Sequence, residues 1–314
     1  MKKIIFLVST LLILCSHDMF LKMETYFLEA KTPSSIFLYN GTFESSDNVI
    51  DRNRMIDVCL VGNGLRSSVD TSQWTEKEKV TVLNFISEEE GTWMAGVSTK
   101  ARSIELEAKE FNEYLEHDGV LDMLDFRTQN NTLEQNAIEK YSKHVKTIFQ
   151  VGQKRSDDWK TPLNYPIEFV PLSNPYEAKV GEQLSFKLLR RGTTLPNHLV
   201  YAGSDMDTHT HTHDHSHGAD THHHHATEYR TDKNGLVTIK LLNEGIWYLR
   251  TIHMEHSNES GLTHESNWAT ITFGLSSNQI ASPKAEDQKT HGYLYLLIAA
   301  GIIILFLGLR RILN

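Results

Sequence analysis

The sequence predicts a mainly β protein with two β-rich domains, the second an immunoglobulin-like or transthyretin-like β-sandwich, followed by a C-terminal transmembrane helix. Short runs of β-branched and aromatic residues recur along the chain, and turn-forming residues separate them at regular intervals. An uncharged apolar run stands close to the C-terminus and is followed by two arginines. The 314 residues are enough for two domains of ordinary size.

The N-terminal segment has the pattern of a secretory signal peptide over residues 1–16. Two lysines precede an apolar run from Ile4 to Leu14, and Cys15 and Ser16 follow it. Cleavage after Ser16 would leave His17 as the first mature residue. The alternative is a lipoprotein with its lipid on Cys15. The large Leu14 stands where lipoproteins normally have a small residue.

Residues 17–160 form the predicted N-terminal β-rich domain with a helical insertion. A helix is expected over Glu105–Leu124 with a stop at Asp118-Gly119, and a second short helix over Leu133–Tyr141. The strand-like runs are rich in β-branched and aromatic residues. They are Ser35–Tyr39, Lys79–Phe85, and Thr92–Val97 with Ser103–Leu106 as a hairpin.

Residues 161–278 form the predicted β-sandwich. Turn chemistry at Asn174-Pro175, Asn234-Gly235 and Glu244-Gly245 separates short strands, a pattern typical of a sandwich of about a hundred residues. A His-rich loop over residues 205–227 interrupts it. The predicted strands are Ile167–Val170, Gln183–Leu189, His198–Ala202, Leu236–Leu241, Trp247–Met254 and Trp268–Phe273.

The C-terminal region is predicted to be a polar stalk over residues 279–292 and a membrane anchor over residues 293–309. The anchor has seventeen residues without charge, and Arg310 and Arg311 follow it on the cytoplasmic side. A buried C-terminal helix is the alternative. The predicted location is the periplasmic face of the inner membrane, held by one C-terminal span.

Cysteine content and charge exclude two classes of protein. If Cys15 leaves with the signal peptide, Cys59 remains alone and no internal disulfide can form. Cys59 lies in an apolar, strand-like stretch and is expected in the core. The formal net charge is −9, and no basic run could neutralise phosphates. We therefore expect no nucleic-acid partner.

Nine of the eighteen residues from Thr208 to His225 are histidine. Neutral imidazole is the commonest metal ligand and suits borderline divalent ions such as Ni, Co, Zn or Cu. A solvated low-complexity insertion with incidental affinity is the alternative. The candidate ligands in this histidine tract are His209, His211, His213, His215, His217, His222, His223, His224 and His225.

Ordered metal ligands are expected outside the histidine tract. At a mature N-terminus, the α-amine and imidazole of His17 can chelate one ion together. His253 and His256, with His264 near them, form a second candidate set, although surface histidines would give the same pattern. His117, His144 and His198 are expected to be structural or surface residues.

No catalytic motif is present, so we expect a protein that is not an enzyme. The sequence contains no Gly-x-Ser-x-Gly, His-Glu-x-x-His or Gly-rich phosphate loop. Two other functions stay open. One is an envelope interaction or adhesion module with an incidental histidine tract, and the other is a copper monooxygenase that uses His17.

Several segments together resemble the DUF4198 family, a group of exported proteins often described as periplasmic components of cobalt or nickel uptake. The resemblance implies a mature start at His17 and a metal-uptake transporter in the inner membrane as partner. It does not extend to the histidine tract or the C-terminal anchor. The segments are His17–Leu21, Tyr141–His144 (YSKH), Phe149–Gly152, Pro166–Pro171 (PIEFVP), Asn174–Tyr176, Val180-Gly181, Asn234-Gly235, Gly245–Met254 and Glu265–Phe273.

Overall fold

A computed structural model describes residues 17–207 and 226–276, and strands dominate both ranges. The predicted signal peptide, histidine tract, stalk and membrane anchor lie outside the described residues. In the described part of the chain, no helix is both long and apolar enough to cross a membrane.

The strands before residue 160 belong to two sheets. The smaller sheet has the order β1-β3-β7-β6, and the other strands contribute to a ten-stranded sheet. In chain order they are β1 (Asp18–Lys22), β2 (Phe27–Leu28), β3 (Pro33–Gly41), β4 (Met55–Gly62), β5 (Leu65–Ser68), β6 (Trp74–Lys77), β7 (Val80–Ile86), β8 (Gly91–Thr99), β9 (Arg102–Leu106) and β10 (Ala137–Val151).

The strands after residue 160 complete the large sheet and form a third one. The large sheet runs β15-β14-β17-β18-β10-β8-β4-β5, while β11, β12, β13 and β16 pair in the third sheet. These strands are β11 (Ile167–Pro171), β12 (Gln183–Arg190), β13 (Thr193–Thr194), β14 (Leu199–Ser204), β15 (Thr227–Arg230), β16 (Leu236–Lys240), β17 (Gly245–His256) and β18 (His264–Leu275).

Strand β10 organises the large sheet. Its 15 residues pair in parallel with β18 along one edge and antiparallel with β9 and β8 along the other. The large sheet therefore contains strands from both sides of residue 160. The division into domains at 17–160 and 161–278 stays a prediction.

The third sheet packs against the large one, which confirms a β-sandwich. Phe186 of β12 and Phe273 of β18 face each other with ring centroids 5.8 Å apart. Both are fully buried, as are Leu184 and Ile239. Alternating apolar residues in β12 and β16 point into this core because strand side chains alternate between faces.

The six strands predicted after residue 160 are confirmed, but two predictions before it were wrong. β8 and β9 do not form a hairpin, since β9 pairs with β10 and β8 pairs with β4 and β10. The predicted helix Leu133–Tyr141 is instead a turn followed by the start of β10 at Ala137. Pairing with β18, far along the chain, overrides the helical preference of its Glu and Lys residues.

Two helices pack against the first residues of β10. They are α1 (Ala108–His117) and α2 (Leu121–Gln129). The predicted stop is confirmed, since Asp118 caps α1 and Gly119 has a φ of 71°. The helices bury Phe111 and other apolar side chains against Trp268 in a core cluster of their own.

Candidate metal site

His17 stands where the chain leaves the core. Strand β1 is locked against β18, because Thr270 and Thr272 donate hydroxyl hydrogen bonds to the carbonyls of Met19 (2.8 Å) and Leu21 (2.5 Å). Both acceptor residues are almost fully buried. The fold therefore holds the backbone that follows His17 in one place.

The His17 side chain is one third exposed and faces a carboxylate. Its Nδ1 lies 2.9 Å from Oδ2 of Asp47, which follows β3, and its carbonyl accepts a hydrogen bond from the Lys143 ammonium group. The His17–Asp47 pair therefore offers one imidazole and one carboxylate at the surface.

The loop that carries Asp47 lies beside the residues that lead into the histidine tract. Phe43 of this loop packs on Tyr248 with ring centroids 4.3 Å apart, and its carbonyl accepts a 2.6 Å hydrogen bond from Lys22. Burial lowers the pKa of Lys22, while Asp205 and Glu44 oppose that shift. One ammonium group thus interacts with both segments.

Asp205 and Asp207 both have structural roles. Oδ1 of Asp205 accepts from the backbone of Ile246 at 2.7 Å, and Oδ2 of Asp207 accepts from the backbone of Ser204 at 2.6 Å. Asn243 donates to the other Asp207 oxygen at 2.9 Å. These carboxylates anchor the end of β14.

A buried charged network lies beneath His17. Arg250 reaches Asp18 (Nη1 to Oδ2, 3.4 Å) and donates to the carbonyl of Asp118 at 3.1 Å. Lys143 lies 4.8 Å from the ring centroid of Trp268, and burial lowers its pKa to about 8. Sequence reasoning missed this network. In the sequence, the only indication of buried charge was the presence of lysines within the apolar-rich run that begins YSKH.

Glu139 extends the network toward α1. It is buried and accepts hydrogen bonds from the Tyr114 hydroxyl (3.1 Å) and from the hydroxyl of Ser266. Burial raises its pKa to about 7, although these hydrogen bonds and Lys143 oppose the rise. The side chain therefore changes charge near neutral pH.

His253 and His256 lie in two separate histidine pairs. They are three residues apart on β17, so their side chains point to opposite faces. The ring of His253 is 5.3 Å from that of His198, and the ring of His256 is 5.9 Å from that of His264, its partner across the β17–β18 ladder. The structure does not bring His253, His256 and His264 together.

The other histidines have partners that explain them. The buried His144 ring lies between the hydroxyls of Ser98 (2.9 Å) and Ser142 (3.0 Å), and burial lowers its pKa to about 4. Nδ1 of His117 lies 2.8 Å from Oδ1 of Asp118, and this hydrogen bond raises the pKa of His117. His144 is therefore structural, as expected.

No group of three or more His, Cys, Asp or Glu side chains is arranged around a possible metal position in residues 17–207 and 226–276. Cys59 is buried in β4, as expected, and burial raises the pKa of its thiol. The ordered candidates are the His17–Asp47 pair and the two histidine pairs.

The fold defines a mainly β protein of several sheets with a layered β core. The DUF4198 family, described as a domain of unknown function, matches residues 15–255. The chain belongs to this family, which confirms the resemblance seen in its sequence.

Three solved structures similar to this chain are all distant from it in sequence. The D0-D1 domain of Intimin is 10% identical, with 82% of this chain and 98% of that chain covered, and the TM-score is 0.18. Salmonella alpha-2-macroglobulin reacted with methylamine is 10% identical, with 83% of this chain and 15% of that chain covered, and the TM-score is 0.21. The Yersinia pseudotuberculosis adhesin InvE is 12% identical, with 83% of this chain and 59% of that chain covered, and the TM-score is 0.17. TM-scores this low support no functional inference, and no curated protein matches the chain.

Proposed function

We propose that this protein binds divalent transition metal outside the inner membrane and either passes it to an uptake transporter or buffers it. The observation that carries the proposal is the density of imidazole in the histidine tract, nine histidines in residues 208–225. Nickel and cobalt are the first candidates, and zinc or copper would bind similar ligands. The protein has no catalytic role in this proposal.

The surroundings of the histidine tract support a collecting role. Strands β14 and β15, on either side of it, pair antiparallel from Leu199↔Arg230 to Ala202↔Thr227, so a hairpin closes without the tract. The pairing of these two strands therefore uses no residue of the histidine tract. The His17–Asp47 pair lies on a segment that, through Lys22, neighbours Asp205. His17 is our candidate for a fixed ligand.

The proposed location follows from the terminal segments. Cleavage after Ser16 would give His17 a free α-amine, and its imidazole and amine could then chelate an ion beside Asp47. A span over residues 293–309 would keep the protein at the periplasmic face of the inner membrane. Intact mass of the mature protein should show His17 first. Any other first residue contradicts the chelate but leaves the histidine tract's role open.

Replacing the nine histidines of the tract with asparagine should remove most metal binding. The full-length chain is titrated with Ni²⁺ at pH 7.5 and bound metal is measured after equilibrium dialysis. The parent protein is expected to bind several ions, and the variant at most one. Binding to the parent should weaken as pH falls through about 6.5, since protonated imidazole cannot coordinate.

The control is His291→Asn, which removes one histidine outside the histidine tract and outside the candidate pairs and should leave Ni²⁺ binding almost unchanged. A variant that deletes the histidine tract should start its deletion at Thr208, because Asp205 and Asp207 anchor β14.

Cells that carry this deletion variant should contain less Ni, Co or Zn in metal-poor medium if the role is uptake. The deletion should lower metal tolerance if the role is buffering. Unchanged content and unchanged tolerance would contradict the proposal.

A further inference from the structure

His198 and His253 are held directly opposite each other at the end of two neighbouring strands. β14 and β17 pair antiparallel with Tyr201 opposite Arg250, and continuing this register by three residues places His198 opposite His253. The Thr251 hydroxyl donates to the carbonyl of Leu199 at 2.6 Å and closes this end of the pair. The backbone of His198 is held on its other side by Thr231 at 2.9 Å.

Each ring has a nitrogen that the fold leaves unused. Nε2 of His198 and Nδ1 of His253 are buried, and neither has a hydrogen-bond partner within the described part of the chain. A buried polar atom without a partner costs free energy, so a bound group that satisfies both nitrogens would stabilise the arrangement. Burial lowers the pKa of both histidines to about 4, which keeps both rings neutral and able to donate a lone pair.

We propose that His198 and His253 form a two-imidazole site for a monovalent d10 cation, with Cu(I) as the ion. The ring centroids are 5.3 Å apart, so one ion at metal–nitrogen distances of about 2 Å would bridge the two rings in a bent arrangement. This site goes beyond the proposed capture of divalent metal, because it involves a different ion and shares no residue with the histidine tract or His17.

The small number of ligands favours a monovalent ion over a divalent one. Divalent zinc normally takes three or four protein ligands, and no third His, Cys, Asp or Glu joins the pair among residues 17–207 and 226–276. Cu(I) is stable with as few as two donors.

The arginines near the rings of His198 and His253 are neutralised by carboxylates, so this site can accept one additional positive charge. Each forms an ion pair with a carboxylate, so the surroundings carry little net charge. The pairs are Arg190–Glu255, Arg191–Glu265 and Arg230–Asp122.

Silver(I) is the probe, because it has the same charge and d10 shell as Cu(I) and needs no reductant. The full-length chain with its nine tract histidines changed to asparagine is the parent protein. One equivalent of Ag(I) should raise its Tm, and His198→Gln or His253→Gln should abolish that rise. His291→Gln, which removes a histidine to which no metal-binding role is assigned, is the control and should keep it. Cys59 is present in every variant, so any thiol contribution cancels.

X-ray absorption at the silver edge of the parent protein tests the site without relying on a variant. Two nitrogen donors and no sulfur support the proposal. A sulfur donor, or a Tm rise in His198→Gln and His253→Gln equal to that of the parent, would overturn it.

Discussion

Lys146→Met is expected to destabilise the protein by about 3–5 kcal/mol. The Lys146 ammonium lies 2.9 Å from Oε2 of Glu168, and both side chains are only 1% exposed. Removing the lysine leaves a carboxylate buried without its counter-charge, which is far more costly than losing a surface pair. The measurement is urea unfolding at pH 7, with the midpoint shifted and the slope unchanged.

A double variant separates loss of pairing from loss of packing. Glu168 also accepts backbone hydrogen bonds from Leu163 (2.9 Å) and Asn164 (2.8 Å). Lys146 therefore supplies only part of the stabilisation of its negative charge. Lys146→Met combined with Glu168→Gln removes both charges and should be more stable than Lys146→Met alone. A double variant less stable than the single one would contradict the argument.

The matched control for the buried pair lies on the same strand. Lys140 of β10 forms an ion pair of 2.7 Å with Glu259, and both side chains are solvent-exposed to a third or more. Water screens such a pair, so Lys140→Met is expected to shift the urea midpoint little. An equal loss in Lys140→Met and Lys146→Met would mean that burial is not the cause.

Glu139→Gln is expected to stabilise the protein above pH 7 by about 3 kcal/mol. Burial raises the pKa of Glu139 from 4.5 to about 7, so the folded state binds its proton more tightly than the unfolded chain. The wild-type stability due to this group is therefore lost as pH rises from about 4.5 to about 7. Glutamine cannot ionise, yet its oxygen can still accept from Tyr114 and Ser266.

The pH profile distinguishes this effect from a general change in packing. The difference between variant and wild type should be near zero at pH 4 and should grow to its maximum above pH 7. Glu105→Gln, an exposed position on the neighbouring strand β9, is the control and should change stability little at any pH. A Glu139→Gln difference that does not vary with pH would contradict the assignment.

The strands after residue 160 were predictable because their signal is local. Alternating apolar residues and turn dipeptides specify each short strand without reference to the rest of the chain. The start of β10 was not predictable in this way. Its Glu and Lys residues favour a helix, but β10 lies between β18 and β9, and Ser142 meets Asn267 from 125 residues away. Long-range pairing decided its structure.

The candidate ligands show the same division. Their identity as histidines was evident in the sequence, and His17, His253 and His256 were predicted from it. Asp47 and His198 were not predicted as their partners, because both come from other strands or loops, whereas His264 was already grouped with His256. The separation of His253 from His256 follows from strand alternation, which was visible only once β17 was known to include both.

By itself, the sequence determined the mainly β class, the family and the concentration of imidazole in one insertion. Each depends on composition or short-range pattern. Only the tertiary structure decided which charges are buried together, as in Lys146–Glu168 and Asp18–Arg250, and which histidines face each other. The physical reason is that burial and pairing depend on strand order and register, which join residues far apart in the chain.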